Sequence, residues 1–209
     1  MFKLFFLIFE PGAAWDKIAR AQRGIAFITL IYLLPLIALC TGLELWGLSL
    51  HGKWQPHFQR FRTFAPEDIL TLGIIQFLLL FVVVFVTAVL VYHIGRTFQN
   101  RLTFVQAFTT IAYGFSPMFL MRFLDYYATM HPGVTWMLGI GLTIWTLYQG
   151  IPRVMQPDPT HAFGVYLSTV MVVILTSGLA RLMTALCVLG RVDLQHSWLS
   201  HGIGRLLGY

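Results

Sequence analysis

The sequence predicts an all-α fold, a polytopic transmembrane helical bundle with five spans. Three observations lead there. Uncharged stretches within 24–46, 69–94, 102–122, 133–150 and 160–189 each come close to the roughly 20 apolar residues that cross a bilayer as a helix. Hydrophobic residues make up 57% of the chain and charged residues 11%, with a mean hydropathy of +0.74. The alternating apolar and polar residues of a membrane barrel strand are absent. With 209 residues, and about 10 to 25 in each connection, one membrane domain over 1–209 accounts for the chain.

Residues 1–20 read as an interfacial helix ahead of the first span. Phe2, Phe5, Phe6 and Phe9 recur at helical spacing, while Lys3, Asp16, Lys17 and Arg20 keep to water. The apolar run 4–9 is too short for a cleaved leader, and Glu10 and Pro11 interrupt it. Pro11 and Trp15 are expected at head-group depth, where an indole is favoured. Pro35 in span 24–46 and Pro117 in span 102–122 each remove a backbone hydrogen bond and bend their helix. The carbonyl so freed needs a partner, such as the Ser116 hydroxyl or a neighbouring helix.

The loop 49–68 mixes Trp54, Phe58, Phe61 and Phe64 with Arg60 and Arg62, which suits a segment lying on the membrane surface. Gly139 and Gly141 let another helix come close to span 133–150. Gly150 is expected to cap that span with a positive φ, and Pro152 to stop it. Pro157 and Pro159 then hold the turn extended before span 160–189. The tail, 190–209, reads as a short surface helix carrying Trp198, Leu199, Ile203, Leu206 and Leu207, with disorder as the alternative.

The formal charge of +6 resides in short loops, where Lys and Arg anchor helix ends and meet anionic lipid; nucleic acid is not an expected partner. Lys and Arg divide seven to each side of the membrane, so their total does not orient the chain. The four before the first span, Lys3, Lys17, Arg20 and Arg23, exceed the three that follow it and favour a cytoplasmic N-terminus. Cys40 and Cys187 fall in apolar stretches and read as buried free thiols.

Charges inside apolar segments are the best functional pointers in a membrane protein. Glu44, Arg122, Asp125 and Arg181 fall toward one membrane face, where the two acids are expected to pair with the two arginines. A structural clamp is the favoured reading and an ion pathway the competing one. An unpaired charge at mid-bilayer costs at least ~2.5–3.5 kcal/mol. Segment 160–189 would be ~45 Å long as one helix, so the depth of Arg181 stays open. His51, His57, His131, His196 and His201 fall toward the same face and are the candidates for Zn²⁺ binding. Their spacings match no ligand pattern, so no metal and no cofactor is assigned. Protease, hydrolase and phosphate-loop motifs are absent, and no enzyme is expected. Transport has little support from an odd number of spans with mostly apolar centres, Gln76 and Gln106 being exceptions.

Three patterns occur in order along the chain. Pro11, Trp15 and Ile18 form a Pro-x-x-x-Trp-x-x-Ile segment, and Tyr113 and Pro117 an Ala-Tyr-x-x-x-Pro segment. Tyr148, Gly150, Pro152 and Met155 come third, followed by Pro157, Pro159, Ala162 and Tyr166. With five spans, this resembles the Yip family of membrane proteins, its prokaryotic inner-membrane branch most of all. The resemblance implies five spans, an inner-membrane location and a cytoplasmic N-terminus. Eukaryotic members are associated with Rab-type GTPases, but their long polar N-terminal region and Asp-Leu-Tyr-Gly-Pro motif are lacking here, so Rab binding is not carried over. The expected role is structural or interactive: contact with the bilayer, with other membrane proteins or with itself, or as a subunit of a larger complex. Small-solute or ion transport is the alternative.

Overall fold

Helix α1, Pro11–Ala21, begins with a proline in its first turn and ends at Gln22, whose φ of 39° is left-handed. It belongs to a computed structural model that describes residues 10–55, 60–63, 65–98, 102–127 and 129–188. Phe2, Phe5, Phe6 and Phe9, His57, His196 and His201, and the expected surface helix of the tail lie outside the described residues.

The first long helix, α2, runs Ile25–His51. Pro35 does not break it. The turn ahead of the ring widens into a π segment, Ile28–Leu33, where the Leu34 N–H reaches back to the Thr29 carbonyl. A wider turn relieves the clash between a proline ring and the carbonyl four residues earlier. Gly52 closes the helix at φ 64°, its N–H on the Leu48 carbonyl at 3.0 Å. The loop beyond is a small antiparallel hairpin, β1 (Lys53–Gln55) and β2 (Arg60–Arg62), with Trp54 opposite Phe61. The sequence reading had a simple surface segment there. Pairing the two arms gives their backbone groups partners.

Helix α3, Pro66–Thr97, has 32 residues and a length of ~48 Å, more than a ~30 Å hydrocarbon core. Glu67 and Asp68 at its start and Arg96 at its end complement the helix dipole. Helix α4, Phe104–Tyr126, starts with a capping box: Gln106 N–H donates to the Thr103 hydroxyl and Thr103 N–H to the Gln106 side chain. The α4 helix is interrupted at Phe115, just before Pro117. The carbonyl that Pro117 deprives of a partner is that of Tyr113, and the Ser116 hydroxyl donates to it at 2.6 Å. The last turn, Arg122–Tyr126, tightens to 3-10 geometry.

Helix α5, Pro132–Val154, is capped by His131, whose Nδ1 accepts from the Gly133 N–H at 3.1 Å. It passes through both Gly150 and Pro152, so neither ends the helix as expected; the turn comes at Gln156, with φ 46°. Helix α6 is Ala162–Val188. Among the described residues four helices, α2, α3, α4 and α6, are long and apolar enough to cross a membrane. The 23-residue α5 has the length but is more polar, with Thr135, Thr143, Thr146, Gln149 and Arg153 along it.

Helix α4 is the centre of the bundle. Of its apolar window 78% is buried, against 33% to 39% for the other three. It packs on α2, α3 and α5; α6 leans on α3 and α5, and α1 lies against α5. It is also the least apolar of the four. A helix shielded from lipid can carry polar groups, whereas a lipid-facing one cannot do so cheaply. Phe108, Ile111, Phe115 and Phe119 of α4 meet Leu147 and Ile151 of α5 in the core. Leu30, Ile31, Met137, Leu175 and Leu179 face outward.

Candidate functional site

Two constellations stand out, one at each end of the bundle. The first gathers Glu44, Arg122, Asp125 and Arg181, each at most 7% exposed. Arg122 and Asp125 lie three apart on the 3-10 turn of α4, where side chains at that spacing eclipse and point the same way. One reaches α2, the other α6. Arg122 Nη2 donates to Glu44 Oε2 at 2.9 Å, and Gln76 Nε2 of α3 donates to the same oxygen at 2.6 Å. Arg181 Nη2 donates to Asp125 Oδ2 at 2.5 Å and to the Thr135 hydroxyl at 2.8 Å. That hydroxyl donates to Asp125 Oδ1 at 2.7 Å, and Arg181 Nε donates to the Pro132 carbonyl at 3.0 Å. All five long helices therefore contribute a polar group, and the four charges sum to zero. Arg181 lies inside α6, in the protein interior. The pairs are Glu44 with Arg122 and Asp125 with Arg181.

Sequence reasoning missed Gln76 and Thr135 as members. Gln76, the one amide within an apolar span of α3, carried a signal; a threonine near a helix start carried none. Gln76 Oε1 and Arg122 Nε have no hydrogen-bond partner among the described residues. A cavity of about 10 Å³ beside Arg122, Arg181, Trp136 and Ser177 has the size of a single water. The arrangement can hold five helices in register.

The second constellation unites residues from all three motif segments. Trp15 of α1 is fully buried rather than turned to the head groups, and its indole N–H donates to the Thr146 carbonyl of α5 at 3.0 Å. A Cβ at Gly150 would sit 2.5 Å from Trp15 Cε2, a distance no real side chain tolerates. This explains the glycine: it makes room for the indole instead of capping the helix. Tyr113 of α4 meets the indole edge-on at 6.5 Å between centroids and leans on Tyr32 of α2 at 4.2 Å. The Tyr32 and Ser116 hydroxyls are hydrogen-bonded to each other. At the outside, Arg153 Nε meets Asp16 Oδ1 at 3.1 Å in a half-exposed pair. Pro11, Pro117 and Met155 are buried and Ile18 is half-buried, while Tyr148 and Pro152 stay exposed. Tyr148 stands edge-on to Tyr166 at 5.5 Å.

Of the five candidate histidines, His51 and His131 fall among the described residues. His51, exposed at the end of α2, rests edge-on against Tyr126, and His131 caps α5. Among the described residues no group of three or more His, Cys, Asp or Glu could hold a metal ion. Cys40 is buried with its thiol on the Phe119 carbonyl at 3.3 Å, and Cys187 is half-buried.

The profile of the Yip1 domain matches residues 5–180, a stretch that contains both pairs at the charged end, save Arg181, and every residue of the indole site. No curated protein and no solved structure matches the chain. A match over most of the length, carried by long apolar helices, makes this chain an integral membrane protein that belongs to the Yip1-domain family.

Proposed function

We propose that this protein binds and organises other membrane proteins, or copies of itself, and has no catalytic activity of its own. The observation that carries this reading is an open apolar groove of about 400 Å³ between α2 and α3, walled by Ala38, Thr41, Gly42, Gly73 and Phe77. In a membrane there is no hydrophobic drive between helices, so close backbone approach at small residues supplies the attraction. Gly42 has open space where a Cβ would be, which suits such an approach. The Thr41 hydroxyl is buried in the wall without a hydrogen-bond partner among the described residues, and a docked helix could offer it one.

A small-solute or ion pathway is the alternative. The mutual pairing of Glu44, Arg122, Asp125 and Arg181 speaks against it, because charges held by one another are not free to carry an ion. The surplus of Lys and Arg before α2 supports a cytoplasmic N-terminus, and the likeness of the three motif segments to the prokaryotic branch supports a bacterial inner membrane. The whole chain, 1–209, then acts as one membrane domain.

The test is purification of the full chain in native nanodiscs, with mass determination and identification of what accompanies it. A stoichiometric partner or dimer that is lost on Gly42→Leu is the expected result. A monomer with no companion, unchanged by Gly42→Leu, overturns the reading. Ion flux in liposomes that disappears on Arg181→Ala while the protein stays folded would establish the pathway instead.

A further inference from the structure

A second cavity, of about 250 Å³, lies where α1, the start of α2 and α4 meet. Lys17 and Ile18 of α1 line it, with Arg23 and Ile28 at the start of α2 and Thr109 and Tyr113 of α4. Its wall changes character with depth. Lys17 is exposed, and Arg23, half-buried two residues ahead of the first long helix, is hydrogen-bonded through its side chain to Tyr113. Ile28, Thr109 and Tyr113 are buried and belong to the bundle. Neither Lys17 nor Arg23 forms an ion pair among the described residues. Arg23 lies 4.6 Å above the Phe27 ring, at the outer surface of α2. Glu10 adds one negative charge to the rim, which leaves it net positive.

From this geometry we infer that the cavity is a binding site for a single anionic glycerophospholipid, its phosphate held by Lys17 and Arg23 and its glycerol and first acyl segment received between Ile18, Ile28 and Tyr113. The inference is independent of the groove between α2 and α3. A phospholipid carries an anionic group and an apolar chain in the order in which this wall presents cations and apolar side chains. It is also the molecule that surrounds the ends of a membrane-spanning helix. Each Lys or Arg near the head groups favours anionic lipid by about fivefold, so the two together favour it by about 25-fold over a zwitterionic one.

The test is native mass spectrometry of the full chain in mild detergent, titrated with phosphatidylglycerol or with phosphatidylcholine. One retained phosphatidylglycerol per chain is expected, with phosphatidylcholine at least tenfold weaker. Lys17→Gln and Arg23→Gln should each weaken phosphatidylglycerol about fivefold. Arg20→Gln is the control: Arg20 is exposed on the same helix, bonded to the Asp16 carbonyl and absent from the cavity wall, and its change should leave binding unaltered. Equal binding of the two lipids, or an equal loss with Arg20→Gln, overturns the proposal. So does full displacement by inorganic phosphate, which would mark a soluble-anion site. Lipid that binds only after removal of residues 1–9 would make that segment the natural occupant and overturn it as well. Thermal denaturation of each variant, lipid-free, separates a lost site from a lost fold.

Discussion

The two ends of this bundle are held by opposite chemistry. At the α1 end a neutral indole fits the space left by a glycine, with one hydrogen bond and no buried charge. At the other end two carboxylates and two guanidiniums are buried in contact with each other, at 2.9 and 2.5 Å. Contacts of the first kind are short-ranged and depend on shape. Those of the second depend on sign, and losing one partner leaves a charge stranded in a medium that cannot solvate it. The two ends should therefore fail differently. The indole end releases one short helix, whereas the charged end fastens all five long ones.

The largest effect is expected at the charged end. Arg181→Ala should cost about 3–5 kcal/mol in detergent unfolding, because Asp125 then stays buried without its guanidinium. The double change Asp125→Leu with Arg181→Met removes both charges and should recover most of that loss. Equal stability of the single and double variants would remove the charged cluster from its role as fastener.

A middle-sized effect is expected at the indole end. Gly150→Ala puts a methyl group against Trp15 and should cost about 1–3 kcal/mol by overpacking. The loss should be local: Pro11–Ala21 gains hydrogen exchange and protease sensitivity while the unfolding of the long helices barely moves. Loss of protection in α1 and in the long helices together would show that the two ends are not separate units. The smallest effect belongs to the half-exposed pair. Asp16→Asn or Arg153→Gln should change stability by less than about 1 kcal/mol, and added salt should shrink the difference further.

Much of this was legible in the sequence, for reasons that differ from residue to residue. Long apolar helices show in hydropathy because a bilayer requires each to satisfy its own backbone and span a set thickness. Glu44, Arg122, Asp125 and Arg181 stood out because charges in such segments are rare. Their partners did not, since the choice depends on α2 and α6 packing beside the turn that carries Arg122 and Asp125. Gly150 was conspicuous, yet a capping glycine and a close-approach glycine look alike in one dimension. Pro35 was legible as a disturbance of α2, though not as a π turn. The hairpin after α2 was not legible, because its two arms are three residues each and carry mixed aromatic and charged side chains.

What the sequence determined by itself is the membrane as solvent, the presence and rough position of the long helices and the set of residues too polar to be there by accident. These follow from each segment taken alone, because transfer into lipid acts on one helix at a time. Tertiary structure alone decided that α4 is central, that Trp15 turns inward onto Gly150, and that Gln76 and Thr135 complete the charged cluster. Those outcomes depend on side chains that are dozens of residues apart in the chain and meet only when the helices pack, and no local pattern encodes such a meeting.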